Sequence, residues 1–439
     1  MLRAIIPRVA QVHVPLRLLV LLIAASPVIV FVDDALTWGL VAAITAGAIG
    51  LIALNVGPTE SAYLSTLFRP LAVVLAIPLL WMFIQLVPVP FATLAHPIWA
   101  SAATALNQAI FGRISIDPGA TLLSICRYSC TVGILFAVTA TTVDRRRAEW
   151  MLFFLVAATS VMAIVFFIYS LGGFLGADYD PRRTSVMSAV SVLGTIIAAA
   201  AAIRAFERFE TRGGDRITHN MFWSGFALWL GAWSISWFVI SGRTSHIFAA
   251  ACGTSTLALI EIIRRFGIDR RVSAAITAIV IVVGVTVIAI QPTGQNDVTL
   301  RFTASSALSG VPMAEQMITD AHSTGAGAGA FAALMPIYQN INDPETREAP
   351  TTAATIAIEL GRPAMVFALA ILIASAVFLG AGALRRGRDS FYPAAGACCI
   401  IALTVEMFTD ATALSTTVQI IAASIVGLGL AQSKSRSSR

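Results

Sequence analysis

The run Ser241-Gly242-Arg243-Thr244-Ser245 sets one guanidinium among small side chains, with His246 next in the chain. A planar guanidinium fork can bind two phosphate oxygens at once, so an arginine held in a tight turn suits a phosphorylated ligand. Arg182 and Arg183 stand together just before a long apolar run, and Arg301 follows another. At such edges they would meet phosphates lying at lipid-headgroup depth. The competing role for these arginines is to cap helix C-termini or to pair with Asp178, Asp180 or Asp297. Glu406 and Asp410 fall four apart, on one face of a helix. Inside a membrane that spacing suits a proton or cation relay, but at the bilayer edge the carboxylates would stay hydrated.

The composition says which elements must hold these residues. The chain has 439 residues, 57% apolar and 12% charged, with a mean hydropathy of +0.83, whereas soluble domains are about 25% charged. That excludes an ordinary soluble protein and points to a polytopic membrane protein. Apolar runs recur from end to end: 18–32, 35–56, 71–87, 122–143, 150–171, 186–203, 221–240, 247–263, 272–290, 364–383, 392–408 and 414–431. Each covers, or nearly covers, the roughly 20 residues a helix needs to cross a bilayer. The expected fold is therefore all-α, a single transmembrane domain over 1–439 with about 12 spanning helices. Strands are excluded because no alternating pattern appears and unpaired backbone amides in lipid cost several kcal/mol. The first run has a basic flank (Arg3, Arg8, Arg17) like that of a signal peptide, yet it leads directly into a second span and reads as a retained helix.

The net charge of +6 is almost all arginine. With both termini cytoplasmic, most of the 29 basic residues fall on the inner side, including Arg145 to Arg147, Arg264, Arg265, Arg385, Arg386 and Lys434. The exceptions are Arg113, Arg127, Arg182, Arg183, Arg243, Arg301, Arg347 and Arg362, and the orientation follows from the positive-inside rule. Placed this way, the charge speaks for membrane lipids as partners and against nucleic acid. The segment Arg204 to Asn220 reads as a solvated cytoplasmic extension of a helix. Cys126, Cys130, Cys252, Cys398 and Cys399 all lie in apolar runs without ligand spacing, so no metal site is expected. Two long external segments are expected at 88–120 and 291–363. The second holds the alternating run Gly325-Ala-Gly-Ala-Gly-Ala-Phe331, expected to fold down onto the outer mouth of the bundle.

Taken in order, Leu86-Val-Pro-Val-Pro90, Ile114-Ser-Ile-Asp-Pro-Gly-Ala-Thr121, Arg182 or Arg183, the Ser-Gly-Arg243 turn, Arg301, Gly325 to Phe331 and Ala349-Pro-Thr-Thr-Ala-Ala-Thr-Ile-Ala-Ile-Glu-Leu-Gly361 form a pattern. Over about residues 86–380 it resembles the O-antigen ligase and polymerase family of bacterial membrane glycosyltransferases. The resemblance implies a GT-C-like fold and transfer of a glycan from a polyprenyl diphosphate at the outer face of the inner membrane, with neither metal nor cofactor. It implies as partners a polyprenyl-diphosphate-linked glycan donor and a glycan or lipid acceptor, and it leaves room for a chain-length regulator. Ligases of the family carry Ala-His-Asn at the start of the last motif, where this chain has Ala349, Pro350 and Thr351, a departure that favours the polymerase branch. Arg243 and Arg301, then Arg182 and Arg183, are the expected diphosphate ligands, each charge-assisted bond contributing about 1.5–3 kcal/mol. For the general base the candidates are Glu348 and His322, with Glu345 and Asp343 beside them; Glu359 would instead fix a helix end. The other function class considered is a secondary transporter or lipid-linked sugar flippase. Against it, Pro27 and Pro78 are not mirrored in the second half and no internal repeat is visible.

Overall fold

A computed structural model describes residues 2–32, 34–88, 95–174, 180–212, 216–240, 244–266, 311–338, 351–386 and 389–433. The described residues are helical, with no strand. The long elements are α1 (Leu2–Ile29), α2 (Ala35–Asn55), α3 (Pro58–Leu86), α5 (Pro118–Thr141), α6 (Arg145–Phe174), α7 (Pro181–Arg212), α8 (Arg216–Ile240), α9 (Thr244–Phe266), α13 (Arg362–Arg385), α14 (Phe391–Thr409) and α15 (Thr416–Ala431). Short helices α4 (Ile98–Leu106), α10 (Val311–Asp320), α11 (Phe331–Tyr338) and α12 (Thr352–Glu359) lie between them, and a 3-10 turn occupies Thr412–Leu414.

Eight of the described helices are long and apolar enough to cross a membrane, and shorter apolar stretches lie at Val14–Ile29, Trp229–Ile240 and Thr416–Ala431. The protein is therefore an all-α, membrane-embedded bundle. The expected span at 272–290 lies outside the described residues.

Helix starts are set by local chemistry. Asp34, Asp117, Thr351 and Ser415 each cap a helix by accepting a backbone N–H three residues on, worth about 1 kcal/mol apiece. Proline occupies the first turn of α3, α5 and α13, where its missing N–H costs nothing.

Packing then separates centre from periphery. The apolar windows of α7 and α14 are 83% buried, whereas those of α3 and α13 are 11% and 17% buried. The central helices are rich in small residues that let backbones approach. Gly427 of α15 sits so close to α5 that a Cβ there would meet the Leu135 carbonyl at 2.8 Å, and Thr139 donates to the Gly427 carbonyl at 3.1 Å. By contrast α3 and α13 turn Val73, Leu80, Val366 and Val377 outward, as lipid-facing helices do.

Candidate functional site

At one end of the bundle the segment between α10 and α11 closes over the ends of α3, α5 and α12. Gly325, Gly327 and Gly329 all have positive φ (76°, 108° and 80°), a region that side chains with a Cβ rarely adopt. Space forbids a side chain as well: a Cβ on Gly327 would lie 2.7 Å from the Ser115 Cα. The alternation Gly-Ala-Gly-Ala-Gly therefore has a steric cause, and the run folds down onto one end of the bundle, flat on the start of α5.

Hydrogen bonds fasten this roof. Ala326 N–H donates to the Ile358 carbonyl, Gly327 N–H to the Glu359 carbonyl and Ile116 N–H to the Ala326 carbonyl, each at 2.9 Å. Gln85, fully buried at the end of α3, is the node. Its amide nitrogen donates to the Thr324 and Glu359 carbonyls at 3.0 Å, its amide oxygen accepts from Ala328 N–H at 3.1 Å, and its backbone carbonyl accepts from Ser115 N–H at 3.1 Å. Thr121 Oγ1 donates to the Ala328 carbonyl and Trp81 Nε1 to the Leu360 carbonyl. One neutral amide thus bonds three backbone groups, of which the Glu359 carbonyl also accepts from Gly327 N–H.

Beneath the roof lies a cavity of about 790 Å³, within the range that holds small molecules. Its walls are mainly apolar: Pro78, Trp81 and Met82 of α3 face Pro363, Phe367 and Ile371 of α13. These two helices are the least buried of the eight long apolar ones, so the cavity opens between peripheral helices of the bundle. Two ionisable groups of opposite charge line it, Arg127 and Glu359.

Glu359 ends α12, and its Oε1 accepts from Phe331 N–H at 3.2 Å, so it fixes the start of α11. Burial pushes its carboxyl up to about 7, against the pull of the Gly329 and Phe331 amides and of the Arg127 charge. Arg127 lies over the Trp38 ring at 4.7 Å, and its Nε has no hydrogen-bond partner among the described residues. A cation–π contact holds the guanidinium without consuming its donors.

A second polar cluster sits nearby, at the same end. His246, in the first turn of α9, places Nδ1 3.2 Å from Glu406 Oε1 and Nε2 3.6 Å from Asp410 Oδ2. His246 and Glu406 are fully buried, which corrects the expectation of a hydrated interfacial carboxylate pair. The reason is tertiary: α9 and α7 pack on α14 and remove the water.

The expected site residues are distributed unevenly. Arg243, Arg301 and Glu348, with Asp343 and Glu345, lie outside the described residues. Arg183 pairs with Asp180 at 3.3 Å and lies over Phe31, while Asp180 also accepts from Arg182 N–H at 2.9 Å. Neither arginine lines the cavity. His322 is exposed, with Nδ1 3.3 Å from Thr324 Oγ1, and its carbonyl accepts from Gly325 N–H. It braces the roof from outside while its neighbours Ser323 and Thr324 reach the cavity.

In the sequence, Arg127 stands out only as one of eight arginines on the disfavoured side, and Gln85 not at all. The available signal was that both are polar side chains within apolar runs, where burial demands a partner or a function. Among the described residues no three His, Cys, Asp or Glu side chains converge as metal ligands. No protein-family model matches the chain, and no curated protein matches it.

Proposed function

We propose that this protein transfers or polymerises polyprenyl-diphosphate-linked oligosaccharide units in the synthesis of a surface polysaccharide. The observation that carries the reading is the apolar, lipid-side cavity with one guanidinium whose Nε has no hydrogen-bond partner among the described residues and one carboxyl poised near neutrality under a rigid roof. The isoprenoid chain of the donor lies along α3 and α13, its diphosphate meets Arg127, and Glu359 receives the proton of the attacking sugar hydroxyl. A base with a pKa near the working pH combines the right protonation state with useful driving force. Diphosphate leaves without a proton donor once fixed positive charge meets the developing anion. Arg243 and Arg301, and less directly Arg182 and Arg183, are the further cations expected to approach the diphosphate, with Glu348 and His322 the alternative bases. In this reading the arginine-rich end is cytoplasmic, the roofed end faces the envelope of a bacterial inner membrane, and Pro350 in place of histidine favours the polymerase branch.

The test uses purified protein in lipid nanodiscs given lipid-linked repeat units alone. Elongated products are expected, and Arg243→Lys should abolish them while leaving the protein in the membrane. Normal elongation by Arg243→Ala removes that arginine from the mechanism.

A second reading, a secondary transporter or lipid-linked sugar flippase, is favoured by the buried His246, Glu406 and Asp410 cluster, since buried intramembrane carboxylates commonly serve ion pathways. Solute uptake into sealed vesicles with no elongation would decide for it.

A further inference from the structure

His246, Glu406 and Asp410 take no part in the proposed transfer chemistry, yet their geometry is demanding. Both imidazole nitrogens face carboxylate oxygens, Nδ1 towards Glu406 and Nε2 towards Asp410. A neutral imidazole has one N–H and one lone pair, so one nitrogen would then oppose an oxygen lone pair to lone pair. A further proton in the cluster turns that opposition into a donor facing an acceptor. Burial sharpens the need, because His246 and Glu406 have no exposed surface and His246 Nε2 and Glu406 Oε2 have no hydrogen-bond partner among the described residues. Unneutralised charge in such a place is strongly disfavoured.

We propose that His246, Glu406 and Asp410 form a buried proton-binding site that couples protonation to the docking of α12 on the bundle. The coupling runs through Asp410, whose side chain is 16% exposed while those of its two partners are fully buried. It is therefore the group with room to withdraw towards water. Its backbone carbonyl accepts from both Thr352 N–H (2.9 Å) and Thr352 Oγ1 (3.0 Å), and its Oδ1 accepts from Thr412 N–H at 3.0 Å. Thr352 opens α12, and Glu359 at the far end of the same helix lines the cavity. Loss of the proton sets Asp410 against Nε2 and loosens the bonds that hold the start of α12.

Other ionisable groups on the packed elements occupy defined places. Cys399 lies about two turns before Glu406 on α14. Glu261, Arg264 and Arg265 sit at the far end of α9, and Arg216 and His219 at the far end of α8. At the near end of α7, Arg183 pairs with Asp180 beside Arg182, and Arg362 of α13 donates to the Ile318 carbonyl. The sequences of α15 and the 3-10 turn carry no ionisable side chain.

Hydrogen–deuterium exchange of the full chain in nanodiscs, followed on the peptide 351–360 between about pH 6 and about pH 9 and corrected for intrinsic exchange, tests this. Because the proton belongs to the docked form, protection should be high at low pH and fall by about tenfold as pH rises. His246→Gln should make protection independent of pH. Glu406→Gln, nearly isosteric and therefore the safer variant to fold, should move the transition to lower pH because one carboxylate no longer holds the proton. Flat protection in the wild type, or an unchanged transition in Glu406→Gln, overturns the proposal. The readout is amide exchange, so it stands or falls separately from glycan transfer.

Discussion

The two ends of the bundle handle charge in opposite ways. At the arginine-rich end, guanidinium groups meet carboxylates: Arg145 with Asp389 at 2.9 Å, Arg204 with Glu149 at 3.0 Å, Arg265 with Glu261 at 2.8 Å, and Arg264 with both Glu207 and Glu261. These pairs join α6, α7, α9 and the start of α14. At the roofed end, where Arg183 pairs with Asp180, neutral Gln85, Thr121 and Trp81 make most of the side-chain bonds to backbone over the cavity. There Arg127 and Glu359 share a cavity without forming an ion pair. Charge matched to charge holds helices together, and charge kept apart across a cavity is available for chemistry.

Breaking that contrast gives the largest expected effect first. Arg127→Gln should lower the rate of glycan elongation by about 100-fold to 1,000-fold, the usual cost of losing one preorganised electrostatic donor, while the melting temperature in detergent stays near wild type. Equal losses of rate and stability would make Arg127 a structural residue like those of the opposite end. Next, Gln85→Leu removes three side-chain hydrogen bonds and strands Ala328 N–H, so unfolding or denaturant titration should register a loss of about 2–4 kcal/mol. A stability change within error would mean the roof is held by shape alone.

The pH response of Glu359 sharpens the comparison further. As a general base it works deprotonated, so elongation should rise with pH through about 7, and Glu359→Gln should remove that limb. Its folded pKa lies above its unfolded value, so the neutral form stabilises the fold fully below the unfolded value. That contribution is lost as pH climbs towards about 7. A rate profile that is flat from about pH 5.5 to about pH 8 assigns the base elsewhere. The smallest effect belongs to the arginine-rich end. Arg204→Ala breaks a partly exposed pair and should cost about 1 kcal/mol or less in a melting assay, with elongation unchanged.

Parts of the site were legible in the chain and parts were not. The run Gly325 to Phe331 announced a backbone that approaches its neighbours closely, and φ at Gly325, Gly327 and Gly329 gives the reason. Arg127 was visible only as one of several basic residues on the disfavoured side, because nothing in linear order places it under a roof formed some 200 residues later. Glu359 was legible as a helix-end residue, which it is, but its second face onto the cavity depends on α13 and α3 meeting around it. Glu406 and Asp410 were read as a pair, whereas their shared partner His246 comes from a different helix.

Composition and periodicity by themselves determined that the protein lives in a bilayer as helices. That inference needs only the length of each apolar run and the cost of an unpaired amide in lipid, both local quantities. Which polar residues share a space was decided by tertiary structure. Burial, the Glu359 pKa and the separation of Arg127 from Glu359 all arise from how α3, α5, α12 and α13 pack, and packing joins residues that the chain holds far apart.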